Sequence, residues 1–463
     1  MNDFAVNGAL LMNSLVLGVL ASLLAGVAGY VAGLTLVASG PRWRRVIVVG
    51  AIVSLALPPF LITNTWLDLL GNPGGIRRWL PLNIYSLPGA ASLLALLTWP
   101  ITTLFAMGAW LRLESPQLEA DPALRGGKLV RWLLWPMARV AVAQAAMVTF
   151  ALVLNNFSVP VILQVPVFSE ELWLAFSTRL NDAGAAFAAW PMVLVPLVAM
   201  LLLRRSEIAW PRSQGPATAA ALRRQLGTPM FRTGAVLTAV LFGLSLGVPL
   251  AQLSASARTW IELPIFLRAS PDVVLNSFVC AALTATLCVA MGLVLRRLRL
   301  GVVSWLPFLI PGVLIGRAAI AIFNGTALYP TVALVILLFA VRYFGIGWTG
   351  VSFAFQSMDR HQTDAARLGG ARGWTLFRQV HWPQIGAQLA GAWYVTYLLT
   401  LWDVETLVLI QPPGGETLAL RIFNMLHYGH NAQVNATCVT LLGLAVLPLG
   451  LWKAGGWLLG RVR

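Results

Sequence analysis

The sequence predicts an all-α, polytopic membrane protein, with about 11 transmembrane helices arranged as two parallel repeats. Its residues are 58% hydrophobic and only 10% charged, whereas a water-soluble domain carries roughly a quarter charged residues. Apolar runs such as 15–38, 235–253 and 434–451 each approach the ~20 residues that carry a helix across a bilayer core. In lipid the backbone must satisfy its own polar groups, which a helix does within one segment. The alternation of apolar and polar positions that marks a membrane barrel is missing.

In chain order, the candidate spans fall at 10–38, 46–69, 84–111, 138–164, 187–203, 233–254, 273–295, 301–323, 327–349, 385–411 and 434–452. The first follows the uncharged or acidic Asn2 and Asp3, without the basic leader and small-residue cleavage site of a removed signal peptide. It is therefore expected to be retained. Pro58 and Pro59 interrupt the second span, and Pro307 and Pro311 the eighth; prolines there break helical hydrogen bonding and are candidate hinges.

Asn13-Ser14-Leu15-Val16 opens the first span and Asn276-Ser277-Phe278-Val279 the seventh. Asp121 to Gly127 matches Asp364 to Gly370, and Leu134-Trp135-Pro136 matches His381-Trp382-Pro383. An even number of crossings separates the two openings, so the duplication is parallel, unlike the inverted repeats of many secondary transporters. The expected division is 1–203 as a first half of about five spans, 204–232 as a polar linker, and 233–463 as a second half of about six. The crossing at 233–254 has no counterpart ahead of the first repeat.

The net charge of +16 does not indicate nucleic acid, because the basic residues are scattered through short loops and form no arm or patch. Topology explains them, since Lys and Arg are retained on the cytoplasmic side. With the N-terminus outside, 25 of them fall in inner segments, Arg342 counted among these, and 6 in outer ones, while Arg317 lies inside a span. Cys280, Cys288 and Cys438 all sit in apolar segments and read as small buried residues. His361 and His381 flank the inner loop of the second half, while His427 and His430 have no cysteine or carboxylate cluster beside them, so no metal or other cofactor is expected.

The inner loop of the second half reads Asp364-Ala365-Ala366, three residues, Gly370, nine residues, Val380, one residue, Trp382-Pro383. Small side chains on a short helix can enter a shallow groove on another protein, and a glycine lets the chain turn closely against it. Proline is then expected to end the segment before the next span. The first half keeps Asp121, Ala123, Gly127 and Pro136, with Pro122 inside the triplet and a shorter run from glycine to proline. Gly126-Gly127-Lys128-Leu129 lacks the upstream glycine and following Ser or Thr of a phosphate loop. The chain carries no nucleotide site of its own.

This loop pattern resembles the coupling loop of ABC importer permeases, written E-A-A, three residues, G, nine residues, I, one residue, L-P, with Asp, Val and Trp as departures. Two fused halves of this layout look most like the ferric-iron, thiamine and phosphonate import group. The resemblance implies a translocation pathway in the bacterial inner membrane, with two copies of a cytoplasmic ATP-binding subunit and a periplasmic substrate-binding protein as partners. It implies that hydrolysis belongs to the partner and that this chain is not itself an enzyme. Ferric iron is the first substrate expectation, and thiamine or another small polar solute the second.

Ionisable groups inside a bilayer are functional candidates by default. Arg317 and Asp403 lie at similar depths, with Glu405 close by, and the first half offers Asn155 and Asn156. Arg317 is expected to pair with Asp403 or Glu405, either lining the route with the asparagines or locking two helices. The competing classes are a secondary transporter run by an ion gradient, which needs midplane carboxylates, and a membrane-embedded enzyme, which needs a reactive cluster at one interface. Neither feature is evident.

Overall fold

The computed structural model describes residues 8–71, 77, 82–121, 123–175, 189–203, 218–298, 300–428 and 431–460, and its regular elements there are helices. Pro122, His430, Arg78, Arg179, Arg299 and the first part of the expected linker, 204–217, lie outside the described residues. Among the described residues, seven helices are long and apolar enough to cross a membrane, and nine spans result if each of two bent pairs is one crossing. The two remaining candidates fall short: Trp190–Leu203 has 14 residues, and Trp382–Leu401 carries Gln384, Gln388, Thr396 and Thr400.

The bent pairs are the proline-rich spans. Pro41–Ala56 meets Pro59–Leu70 at 86°, and Gly301–Leu309 meets Gly312–Phe323 at 88°. A proline disfavours the helical conformation in the residue before it, which is extended unless the helix around it relieves the clash. Accordingly Leu57, before Pro58, and Ile310, before Pro311, are both extended, with ψ of 131° and 129°.

The chain forms two compact units, Met1–Phe266 with Ile422–Leu442, and Leu267–Arg421 with Gly443–Arg463. In the first, Gly8–Val37 buries a stripe of small residues, Ala21, Ala25, Gly29 and Gly33, against Leu87–Trp110. Small residues at four-residue spacing let helix backbones approach closely in lipid. A Cβ at Gly29 would strike the Trp99 carbonyl, and Thr103 Oγ1 donates to the Gly29 carbonyl at 3.1 Å. The second unit repeats the device between Pro271–Leu295 and Val332–Gln356. There Gly347 packs on the backbone of Cys288, whose thiol reaches the Ala340 carbonyl at 3.5 Å. All three cysteines are free and buried.

The span Thr228–Ala255, assigned from sequence to the second half, lies within the first unit. Gly234 abuts Thr35, and Phe242 stacks edge-on against Trp99 at 5.0 Å. The helix without a counterpart thus packs on helices of the first unit.

Pro448 stands inside Asn431–Gly460 and cannot donate to the carbonyl four residues back, that of Leu444. Tyr397 Oη donates to that carbonyl at 2.9 Å, and Tyr394 Oη to the adjoining Ala445 carbonyl at 3.0 Å.

Candidate functional site

The expected proline stop before each later span is not a stop. Gly127–Leu129, Val130–Leu134 and Trp135–Asn155 run on as one helix, and so do Gly373–Leu376, Phe377–His381 and Trp382–Leu401. In both, the turn just before Trp-Pro widens to a π-turn. A π-turn accommodates a residue that can neither donate to nor fit against the carbonyl four back. Pro136 and Pro383 therefore sit in the first turn of continuing helices, and each loop is joined rigidly to the helix that follows it.

In the second loop, Asp364, Ala365 and Ala366 lie on the helix Arg360–Leu368, capped by Asp359 Oδ1, which accepts from the His361 N–H at 2.9 Å. Asp364 reaches Arg367 at 3.8 Å, both well exposed. Gly370 has φ +87° with open space around it, a turn that L side chains resist. Leu368 is 91% exposed and Trp374 71%. Gln384 ties this helix to the span beyond: its Oε1 accepts from the Asp359 N–H at 2.9 Å and its Nε2 donates to Gln362 Oε1 at 3.1 Å. His381 is held below the ordinary histidine value by burial first, then by Arg367 and Arg296.

The first loop is built differently. Its helix is the five-residue Ser115–Glu119. Asp121 and Ala123 lie beyond it in a turn, where Asp121 Oδ1 accepts from the Ala123 N–H at 2.8 Å, and Gly127 begins the next helix.

The repeated Asn-Ser openings acquire a physical role. Ser14 Oγ accepts from the Phe168 N–H and Ser277 Oγ from the Leu418 N–H, both at 2.8 Å and buried. Beside them Asn13 Nδ2 donates to the Pro166 carbonyl at 3.1 Å, and Asn276 Nδ2 to the Gly414 carbonyl at 2.7 Å. Each pair clamps the start of the short helix that follows the loop-bearing span. Ser277→Ala should cost about 1–3 kcal/mol, the penalty for orphaning a buried N–H, and Ser14→Ala a similar amount; thermal unfolding of the purified chain measures both.

Among the pathway candidates, Asn155 is buried at the end of its helix, with Nδ2 on the Ala151 carbonyl at 3.0 Å. Asn156 Oδ1 accepts from the Val159 N–H at 3.0 Å. Within the same unit Asn64, fully buried, donates to Asn435 Oδ1 at 3.0 Å. Arg317 is half-buried on Gly312–Phe323. Asp403 is held by a different arginine, Arg342, at 3.0 Å, with side-chain exposures of 3% for Arg342 and 0% for Asp403. Tyr343 Oη donates to Asp403 Oδ2 at 2.8 Å, the Thr406 N–H to Oδ1 at 2.9 Å, and Thr406 Oγ1 to Oδ2 at 2.9 Å. Arg342 also donates to Thr406 Oγ1. A Cβ at Gly312 would strike this guanidinium, and Gly316 packs on the Thr406 carbonyl. Glu405 is buried beside the group.

Arg342 was counted among the inner-loop charges, yet it lies inside Val332–Gln356, more than two turns from either end. A polar residue in a long apolar run is the signal that identifies it.

No family model matches the chain. Its curated relatives include PhnV of Salmonella paratyphi A, a permease protein assigned to a 2-aminoethylphosphonate transport system, 28% identical over 177 residues that cover 36% of this chain and 67% of PhnV. PhnV of Salmonella choleraesuis is 28% identical over 189 residues, 39% of this chain and 71% of its own. PotC of Escherichia coli K12, a spermidine/putrescine transport system permease protein, is 28% identical over 92 residues, 20% of this chain and 35% of PotC. Over part of its length, this helical membrane chain is thus similar to permease subunits of ABC-type import systems.

Proposed function

We propose that this single chain supplies both halves of the membrane pathway of an ATP-driven importer in the bacterial inner membrane, with its N-terminus on the periplasmic side. Two copies of a cytoplasmic ATP-binding subunit dock on its loops, one for each half, and a periplasmic binding protein delivers the solute. The observation that carries this reading is the helix Arg360–Leu368: its small residues, the exposed Leu368 at its end and the exposed Trp374 beyond it are apolar groups that a partner would cover. The docking residues are Asp364, Ala365, Ala366, Gly370 and Pro383 in the second half, and Asp121, Ala123, Gly127 and Pro136 in the first.

Asn155, Asn156 and Arg317 are proposed for the route, while Asp403 and Glu405 hold its wall, since a carboxylate saturated by Arg342, Tyr343 and Thr406 has little left to offer a passing solute. The cargo is proposed to be a small charged solute: ferric iron or thiamine by the layout of the halves, an aminophosphonate or polyamine by the relatives' systems.

Purifying the chain with its co-expressed ATPase should yield two ATPase copies per chain, and ATP hydrolysis should rise when a loaded binding protein is added. Uptake in vesicles depleted of ATP but holding an ion gradient would overturn this reading in favour of a secondary transporter. Screening those four solutes for stimulation identifies the cargo.

A further inference from the structure

The second half builds its docking helix inside its own loop and ties it down with Gln384. The first loop is four residues shorter between its glycine and proline, keeps only the five-residue Ser115–Glu119, and leaves Asp121 in a turn. Its support comes from elsewhere in the chain. The linker is helical over Ala219–Leu226, capped by Thr218 Oγ1, which accepts from the Ala221 N–H at 3.2 Å. Leu222 and Leu226, 1% and 3% exposed, complete an apolar cluster with Leu113, Leu118, Leu129 and Leu134 of the loop. Gln225 then does for this loop what Gln384 does for the other: its Nε2 donates to the Leu118 carbonyl, and its own carbonyl accepts from the Gly126 N–H at 2.8 Å. Arg223 lies over the Phe231 ring at 4.2 Å. After the turn at Gly227, with φ +81°, the chain passes straight into the span Thr228–Ala255.

We propose that the linker helix Ala219–Leu226 is a positioning element of the first coupling loop, standing in for the helix that the second half carries within its loop. The two halves then offer unlike surfaces to their ATPase partners, and the first surface depends on chain continuity between the halves. The splint itself is independent of the transport reading; its part in coupling rests on that reading.

Hydrogen exchange on the full-length chain in detergent tests the splint. Leu222→Ser with Leu226→Ser should speed exchange of the amides from Leu118 to Gly127 by about tenfold or more, because those amides lose their cover, while amides of Arg360–Leu368 stay as in the wild type. Arg224→Ala, exposed on the same helix, is the control and should change nothing. Should the double variant fail to accumulate, Gln225→Ala removes only the side-chain donor and should give a smaller rise at the same amides. Unchanged exchange there, in whichever of the two variants accumulates, overturns the proposal. ATP-driven uptake by cells expressing the whole transporter should fall in step with the rise in exchange; faster exchange with full uptake removes the role in coupling. A wild-type transporter with no ATP-driven uptake strikes at the importer reading and leaves the exchange result standing.

Discussion

Arg342→Met should destabilise the second unit by about 3–5 kcal/mol, the cost of leaving buried charge without its partner. The side chain it removes is 3% exposed and answers the carboxylate of Asp403, with Glu405 buried alongside. Two carboxylates would then face one another in an apolar surround, where charge is poorly screened. Asp403→Asn in the same chain should recover much of the loss, because the asparagine oxygen can still accept from the Thr406 N–H while the charge is gone. A double-mutant cycle read by thermal unfolding of the purified protein checks this. Additive single effects would show that the pair does not act as a unit. The same pair explains Gly312: its missing Cβ leaves the space the guanidinium occupies, so the half-helix after the Pro311 bend is held against the segment from Asp403 to Ile410.

If the second loop docks as proposed, Ala366→Glu should reduce uptake by at least about tenfold while the chain still folds, because a charge would stand where the proposal has a small side chain enter a partner's groove. Ala366 is on a solvent-facing helix with no backbone strain of its own, so the change probes docking separately from folding. Gly370→Ala is the comparison. Nothing crowds a Cβ there, but φ is +87°, and an L residue held in that region costs roughly 1–2 kcal/mol. Uptake and the number of ATPase copies retained on purification measure both variants. Normal values for Ala366→Glu would remove the second loop from the coupling machinery.

The local signals were legible because each is a short-range property. Apolar run length gives spans, proline biases the residue before it away from the helix, and Asn-Ser recurs at two span openings. The loop spacing could likewise be read as a pattern. Its mechanics could not, since a proline that ends a helix and one relieved by a π-turn look the same in sequence. Val130–Leu134 and Phe377–His381 are legible only once the helices on both sides are placed.

The sequence by itself determined that this chain is an all-α polytopic membrane protein, because the bilayer reads composition and length directly. Only the tertiary structure decided partners. It assigned Asp403 to Arg342, 61 residues away in sequence, the unmatched span to the first unit, and the linker helix to the first loop. The physical reason is shared: in an apolar interior a polar group or an uncovered leucine is satisfied by whatever packing brings within reach, and reach depends on how helices bend and cross, which hydropathy and spacing do not record.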